Sequence, residues 1–501
     1  MTHPTLITLA ILITALLATP VPAAAQQPDT ERAGKGGSAD PVAATQADRV
    51  WSGAVTVAPG NNIRMVFKLV VGDDGGPVGL LSIPAQGVVD AEVIELKLVD
   101  GSVSFVLAFP GLAAEMRPRF DLEIDAKGSL AGTMTQAGME FVASFESSSD
   151  EALDAAREAS RPQTPKGPFA YRTEEVTVPV QTDKWDHTLA GTLTLPDAGE
   201  FGEGPYPTVI FITGSGAQDR DETIFEHKPF AVIADYFATH GIASLRCDDR
   251  GVFGSTGDPV NPTTHNFVDD ARAQVGFLAG HDAVGPIGVI GHSEGGVVGP
   301  MIAADDDRVK FVVMLAGTGV PGNEVLVEQT AAILAASGYD DELVSKAKRI
   351  QTELLKRVKE GESIRDLRDL VGDQIRAMAP MELTPELLNP AVDAAIAQFE
   401  IPWMLAFIRL DPRDALRRVT QPVLVLSGDM DLQVLSWQNV PEIEKALADN
   451  PDVTVRVFEG LNHMFQRCEY GTVSEYNELT TTVEPEVLEL VTEWVLERGG
   501  D

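Results

Sequence analysis

The chain has 501 residues, too many for a single ordinary hydrophobic core, so it should divide into two or three domains. It carries 38 basic and 75 acidic residues, a formal net charge of −37. The negative electrostatic field of such a chain repels phosphate backbones and anionic lipid headgroups. Nucleic acid is therefore a poor candidate partner, and the acidity is best explained as a solvated surface.

Residues 1–25 are predicted to be a signal peptide. An apolar run at 6–17 is shorter than a membrane span needs and leads to the small-residue cleavage site Ala23–Ala25. The leading segment contains His3 but neither Lys nor Arg, so an uncleaved anchor is the alternative. We expect export to the periplasm or beyond, with no membrane span in the mature chain.

After a Gly-, Ala- and Asp-rich linker at 26–47, residues 48–146 are predicted to form a small all-β domain. Apolar residues alternate with others at 63–71, 103–109 (ending at Phe109) and 120–124, with Gly- and Asp-containing turns between them. A period of two is typical of strands with one buried face, which indicates a sandwich or an open barrel. No titratable cluster marks the domain as catalytic, so ligand binding, docking and a stabilising appendage all remain open.

A second linker is predicted at 147–168, and an α/β domain at 169–499. Short apolar runs lie at 208–213, 243–247, 287–290, 311–315, 423–426 and 453–458. Continuous apolarity predicts strands buried on both faces, as in a parallel sheet covered by helices. Such runs stop at about 320–413, where apolar residues recur at helical spacing. This segment is predicted to be a helical cap inserted between two strands.

The sequence Gly291-His292-Ser293-Glu294-Gly295 follows one of these predicted strands and precedes a predicted helix. A Gly on each side allows the sharp strained turn that exposes a serine nucleophile above the sheet. The alternative is an ordinary glycine-rich turn. In this strand-turn-helix context we predict that Ser293 is a nucleophile, while the adjacent His292 is structural and points away from it.

A serine hydroxyl needs a base, and His463 is the only histidine after Ser293. It follows the last predicted strand, as the base does in hydrolases with the order Ser, acid, His. The acid should follow the preceding strand, where Asp429 and Asp431 both stand. Asp431 lies farther past the strand end and is favoured as the acid, whereas Asp429 is predicted to brace the turn.

An oxyanion hole needs two backbone N–H donors, and Glu294 supplies the first after the nucleophile. Ser215 is the preferred second donor and Gly216 the alternative, because both follow the predicted strand at 208–213. No motif for a phosphate, dinucleotide or zinc site is present, so no cofactor and no metal is expected. Asp305-Asp306-Asp307 is explained as a charged helix end.

Cys247 and Cys468 are the only cysteines. Two cysteines cannot form a disulfide framework, and no CxxC spacing is present. Two buried free thiols are expected, with a single bridge in an oxidising compartment as the alternative.

From about residue 171 onward the chain resembles the bacterial α/β-hydrolases related to serine aminopeptidases, several of which are carboxylesterases. The resemblance is carried by motifs in a shared order: Gly214-Ser215-Gly216-Ala217-Gln218-Asp219-Arg220-Asp221-Glu222, His227-Lys228-Pro229-Phe230, Asp248-Asp249-Arg250-Gly251, Gly291-His292-Ser293-Glu294-Gly295-Gly296, Asp431-Leu432-Gln433-Val434 and Asn462-His463. It implies an α/β-hydrolase fold with a helical cap, and the triad Ser293, Asp431 and His463. It also implies an acyl pocket lined by Trp403 and Phe407. Phe253 stands where the family loop usually continues Gly-Val-Gly.

The expected function is hydrolysis of small-molecule carboxylic esters through an acyl-enzyme intermediate. An aminopeptidase with the same triad is the nearest alternative, for which Glu294 is the one candidate to hold a free amino terminus. A secreted binding protein with an inert hydrolase domain is the alternative from another class. The complete triad in the correct order argues against it.

Overall fold

The computed structural model describes residues 49–58, 61–72, 75–83, 88–99, 101–107, 117–136, 139–153, 160–259, 262–379 and 383–499. The described residues up to 162 belong to one compact unit, and those from Gln163 onward belong to a second. This division falls within the segment 147–168 that was predicted to be a linker. The predicted signal peptide, the linker at 26–47 and Phe109 lie outside the described residues.

The first unit is a closed antiparallel sheet of eight strands. Its strands are β1 Arg49–Ala58, β2 Asn61–Val71, β3 Pro77–Ile83, β4 Val88–Val99, β5 Ser102–Leu107, β6 Arg119–Ile124, β7 Leu130–Gln136 and β8 Met139–Ser148. Each strand pairs with the next, and β1 also pairs with β8 from Val50–Ser148 to Thr56–Val142. The prediction of a sandwich or an open barrel is therefore wrong, because this last pairing leaves the sheet without a free edge.

Aromatic side chains fill the interior of the closed sheet. Trp51, Phe67, Phe105 and Phe120 stack in a row, with successive ring centroids 5.6, 4.6 and 4.7 Å apart. In β6 the buried positions alternate with exposed ones, as the period of two predicted. The interior is thus a packed core built from one face of every strand.

The second unit contains eight strands and twelve α-helices among its described residues. The strands are β9 Arg172–Gln181, β10 Asp186–Leu195, β11 Tyr206–Ile212, β12 Ala243–Cys247, β13 Val284–His292, β14 Val309–Leu315, β15 Val423–Gly428 and β16 Val453–Phe458. The helices are α1 Ala198–Phe201, α2 Pro229–Ala238, α3 Thr264–Leu278, α4 Gly295–Ala303, α5 Gly322–Ala336, α6 Asp341–Lys359, α7 Arg368–Met378, α8 Pro385–Phe399, α9 Pro402–Arg409, α10 Arg413–Leu416, α11 Ser436–Ala446 and α12 Pro485–Gly499. A 3₁₀ turn spans Val473–Asn477.

These strands form one sheet in the order β16-β15-β14-β13-β11-β12-β10-β9. The strands from β16 to β12 run parallel, while β9 and β10 pair antiparallel at one edge. Separate apolar clusters cover the sheet, one including α3 and α4 and the other α2 and α12. The chain passes from β11 to β12 and then to β13 on the other side of β11. Ligands of open α/β sheets bind at such a reversal, beyond the carboxyl ends of the strands.

Helices α5 to α9 lie between β14 and β15 in sequence and form the cap, with an apolar core of their own. In α6 the buried residues Ala347, Gln351, Leu354, Leu355 and Val358 recur at helical spacing, and Asp340 caps the helix by accepting from the N–H of Leu343. Among the helices the structure describes, none has by itself the length and apolarity to cross a bilayer. The sequences of α8 and α9 pass such a test only together, across a 69° bend.

Candidate functional site

The turn after β13 is a strained elbow that presents Ser293. The backbone φ of Ser293 is 53°, in the left-handed region that L-residues seldom adopt. Gly291 and Gly295 are required here, because a Cβ on Gly291 would lie 1.9 Å from the Gly295 carbonyl oxygen and one on Gly295 would lie 2.2 Å from the Ile212 carbonyl oxygen. The N–H of Ser293 donates to the Leu315 carbonyl at 2.8 Å, which fixes the turn to the neighbouring strand. Ser293 itself is half-buried and therefore reachable.

Asp431 and His463 meet although they follow different strands. Asp431 Oδ2 lies 2.8 Å from His463 Nδ1, and both side chains are buried. The other oxygen of Asp431 accepts the N–H groups of Gln433 and Val434, each at 2.8 Å. The carboxylate is therefore held by its own loop and has one oxygen left for the imidazole. Such a contact sets which ring nitrogen carries the proton.

Asp429 has a different set of contacts. It is exposed, and its Oδ1 accepts the N–H of Gly460 at 2.7 Å, while its own N–H donates to the Phe458 carbonyl at 3.0 Å. Both bonds join the loop after β15 to the end of β16. The residue thus braces the turn, and Asp431 is the aspartate that contacts His463.

Ser293 and His463 lie on adjoining loops. His292 Nε2 lies 3.0 Å from the His463 carbonyl oxygen, and the two imidazole rings are 4.7 Å apart between centroids. Within the described part of the chain, the hydroxyl of Ser293 and Nε2 of His463 form no hydrogen bond with each other. The acid and base are thus in contact, while the base and the serine are neighbours without a closed hydrogen bond, an arrangement common in unliganded active sites.

Glu222 was not assigned a role from sequence, yet its carboxylate holds two of these loops. Its Oε1 accepts the N–H of Gly214 at 2.6 Å and lies 2.9 Å from His292 Nδ1. His292 therefore faces two acceptors, the Glu222 carboxylate on one side and the His463 carbonyl on the other. Burial opposes the charged imidazolium, but the Glu222 carboxylate and the hydrogen bonds outweigh it and hold the pKa of His292 above its ordinary value.

Glu294, next to Ser293, is a second buried carboxyl with several donors around it. Thr264 Oγ1 donates to its Oε1 at 2.6 Å, and the indole N–H of Trp403 lies 2.9 and 2.8 Å from its two oxygens. The hydroxyl of Ser215 also favours the charged form of this carboxyl. Burial raises the pKa of Glu294 above its usual range, against the hydrogen bonds that lower it.

The backbone N–H groups of Ser215 and Glu294, predicted as the oxyanion donors, lie on the two loops that flank Ser293. Across residues 160–259, 262–379 and 383–499, neither of these N–H groups donates to a protein acceptor. The N–H of Gly214, one residue earlier, is taken by Glu222. The N–H of Gly216, the alternative donor, is equally without a protein acceptor among the described residues, so the choice between Ser215 and Gly216 stays a prediction.

Trp403 and Phe407 stack in helix α9, with ring centroids 5.2 Å apart. Phe407 is buried in the cap core, and Trp403 uses its N–H on Glu294. The cap cavity described below is lined by neither residue. Their place in an acyl pocket stays a prediction, and the bond from Trp403 to Glu294 joins the cap to the nucleophile turn.

The two cysteines, Cys247 and Cys468, are both free thiols. Cys247 is buried as expected, whereas Cys468 is only half-buried. Phe253, the departure from the family loop, is 72% exposed and has a φ of 44°. A glycine adopts this conformation at no steric cost, which explains why glycine is usual at that position. Within the described ranges, no group of three or more His, Cys, Asp and Glu side chains is arranged to hold a metal ion.

The His292 contacts predict how stability depends on pH. A histidine whose folded pKa is raised stabilises the fold fully below its unfolded pKa, about 6.5, and this contribution is lost as pH rises through the folded pKa. His292→Asn should therefore lower the free energy of unfolding by about 1 to 3 kcal/mol at pH 6, and the difference from the unmodified protein should shrink as pH rises.

The measurement is denaturant unfolding across pH, with His265→Asn as the control because His265 is an exposed histidine of α3. A difference for His292→Asn that stays constant or grows with rising pH would contradict a charged imidazole at this position.

Comparisons with known proteins agree with this architecture. A family model described as the alpha/beta hydrolase family matches residues 209–470. Esterase EstD of Thermotoga maritima is 27% identical over 301 residues, which cover 59% of this chain and 61% of EstD, so the match spans less than two thirds of that relative.

Two solved structures are similar to part of the chain. The esterase Pf2001 of Pyrococcus furiosus has a TM-score of 0.39 at 17% identity, covering 66% of this chain and 94% of Pf2001. Est1E of Butyrivibrio proteoclasticus with ferulic acid bound has a TM-score of 0.36 at 18% identity, covering 64% of this chain and 99% of Est1E. The family match begins within β11, includes β12 to β16, the elbow and the cap, and extends over more than half of the chain. The chain therefore belongs to the alpha/beta hydrolase family.

Proposed function

We propose that the chain is a serine hydrolase that cleaves carboxylic esters through an acyl-enzyme intermediate. The observation that carries the proposal is the 2.8 Å contact between Asp431 and His463 on a loop that is bonded to the elbow of Ser293. An imidazole held in one tautomer beside a serine on a strained turn has the parts that acyl transfer needs. The similarity to the esterase EstD supports an ester as the substrate.

In the proposed reaction, Nε2 of His463 takes the proton of the Ser293 hydroxyl as Oγ attacks the ester carbonyl carbon. The N–H groups of Ser215 and Glu294 stabilise the negative oxygen that forms. His463 then gives the proton to the leaving alcohol, and the acyl group stays on Ser293. A water molecule repeats the sequence, giving its proton to His463 and releasing the acid, so that Ser293 regains its proton.

The contacts of Glu294 argue for an ester over a peptide with a free amino terminus. An aminopeptidase needs a carboxylate that is open to the substrate ammonium group. Glu294 is 2% exposed, and its oxygens are already bonded to Thr264 and Trp403. The one candidate for holding an ammonium group is thus committed to the protein.

Ser293→Ala should abolish ester hydrolysis and fluorophosphonate labelling while leaving the melting temperature nearly unchanged, because it removes one hydroxyl that makes no hydrogen bond within the described part of the chain. His463→Ala should be nearly as damaging, since the members of a triad act as a unit. The assay is a p-nitrophenyl ester chain-length series run beside aminoacyl anilides, with the exposed Ser474→Ala as the control. Cleavage of anilides in preference to all esters would favour the aminopeptidase. A protein that the probe does not label would be the inert binding protein.

Asp431→Asn and Asp429→Asn should separate the two aspartates. The first removes the charge facing His463, and we expect turnover to fall by about 10³- to 10⁴-fold with little change in substrate binding. The second weakens one bond to the Gly460 N–H and should cost about 0.5 to 2 kcal/mol of stability with turnover retained. Turnover and melting temperature of both variants decide the matter. Loss of activity in Asp429→Asn alone would reverse the assignment.

We also propose that the protein is exported, on the strength of the apolar run at 6–17 and the small residues that follow it. Expression of the full chain in a bacterium should yield a product in the periplasm or medium that begins at Gln26. Amino-terminal sequencing of that product is the test. A membrane-bound product that retains Met1 would show an uncleaved anchor instead.

A further inference from the structure

The cap contains a cavity that no step of the proposed reaction uses. It is partly open to solvent, and all five cap helices contribute to its wall. Eight of the lining side chains are apolar, among them Leu354, Phe399 and Met404. The polar ones are three glutamines, Gln351, Gln374 and Gln398. Amides on the wall of an apolar cavity need partners, because burial removes them from water.

Hydrogen bonds determine how two of these amides are oriented. The Leu326 carbonyl only accepts, so Gln351 turns its Nε2 toward it, at 3.1 Å. The Oε1 of Gln351 then faces Gln374 and accepts from its Nε2 at 3.2 Å. Gln374 Nε2 also lies 3.5 Å from Met378 Sδ, so its Oε1 points elsewhere. The chain of bonds from Leu326 therefore leaves an acceptor at its end.

The Oε1 of Gln374 is buried and has no hydrogen-bond partner in the described part of the protein. Gln374 as a whole is 5% exposed. An acceptor left without a donor is unfavourable, so a molecule that fills the cavity and supplies a donor gains both apolar burial and this bond. An apolar group that lacks a donor gains only the burial.

The cavity wall and the nucleophile turn share one cap helix, α9. Met404 lines the cavity, and its neighbour Trp403 in α9 donates to Glu294, the residue that follows Ser293. A substrate held in the cavity is thus held by the same helix that contacts the elbow. The connection relates binding in the cap to the reacting serine.

We propose that this cavity binds the apolar part of an ester substrate, and that Gln374 Oε1 accepts a hydrogen bond from a hydroxyl group carried on that part. The inference rests on the proposed ester hydrolysis and adds the class of substrate: esters whose acyl or alcohol part is an apolar chain or ring bearing a hydroxyl. A site built to accept from a hydroxyl discriminates against the analogue that lacks it, because its acceptor then stays unpaired.

The test uses ester pairs that differ by one hydroxyl: methyl octanoate with methyl 8-hydroxyoctanoate, and methyl 3-phenylpropanoate with methyl 3-(4-hydroxyphenyl)propanoate. We expect kcat/KM to favour a hydroxylated member by about tenfold or more. Gln374→Met, similar in size and without the acceptor, should remove that preference. Gln329→Met, in cap helix α5 and outside the cavity wall, should keep it.

Hydrolysis of both pairs with no preference for the hydroxyl would overturn the proposal, as would a preference that survives in Gln374→Met. A second measurement covers a Gln374→Met variant that does not fold. The melting temperature of Ser293→Ala, with the cap unchanged, should rise more with 1-hexanol than with methyl hexyl ether, which lacks the donor. An equal rise, or none, would overturn the proposal.

These two measurements distinguish failure of the inference from failure of the proposed function. The alcohol measurement needs no turnover, so a protein that hydrolyses no ester but is stabilised by 1-hexanol keeps the cavity assignment and loses the esterase. A protein that hydrolyses plain esters without either hydroxyl effect keeps the esterase and loses the cavity assignment.

Discussion

The carboxylate of Glu222 and the imidazole of His292 together link the carboxyl ends of three strands of the sheet, β11, β13 and β16. One oxygen accepts the Gly214 N–H after β11 and faces His292 at the end of β13, and His292 in turn bonds to the carbonyl of His463 beyond β16. Backbone loops at a sheet edge have no regular ladder to fix their spacing, so a buried side chain has to do so. The Glu222 carboxylate fixes these loops firmly, because a charged carboxylate binds its donors more tightly than a neutral acceptor does.

Glu294 connects the other side of the elbow to a different set of elements. Its donors come from α3 and from cap helix α9, through Thr264 and Trp403. The loops around Ser293 are thus held in place by two acidic side chains, Glu222 and Glu294. The cap is tied to the nucleophile turn by the Trp403 bond, so displacement of α9 would leave the buried Glu294 carboxyl short of a donor. Such an unpaired group is costly, which favours a cap that stays seated on this turn.

The sheet and the elbow could be predicted from sequence because their causes are local. A strand buried on both faces shows continuous apolarity, and the close approach of Gly291 and Gly295 to backbone atoms admits only glycine. The contact of Asp431 with His463 followed from the order of residues after the last strands. In contrast, Glu222 reaches His292 across 70 positions and Trp403 reaches Glu294 across 109, and no periodicity signals such pairs. The closure of the first sheet was missed for the same reason, since β1 and β8 pair across the whole unit.

Two of the buried polar atoms without partners among the described residues, Glu222 Oε2 near the elbow and Gln374 Oε1 in the cap, belong to groups whose other atoms are bonded differently. Glu222 Oε2 has no partner among the described residues, but the other oxygen of the same carboxylate accepts two donors, so the group is compensated by the frame it holds. Gln374 Oε1 belongs to an amide whose nitrogen is engaged, and nothing nearby in the described chain offsets the loss. A helical pattern of apolar residues would place Leu or Met at such a position, and either would cost less when buried. A polar side chain kept there at a cost in stability is better explained by what enters the cavity than by the packing of the cap.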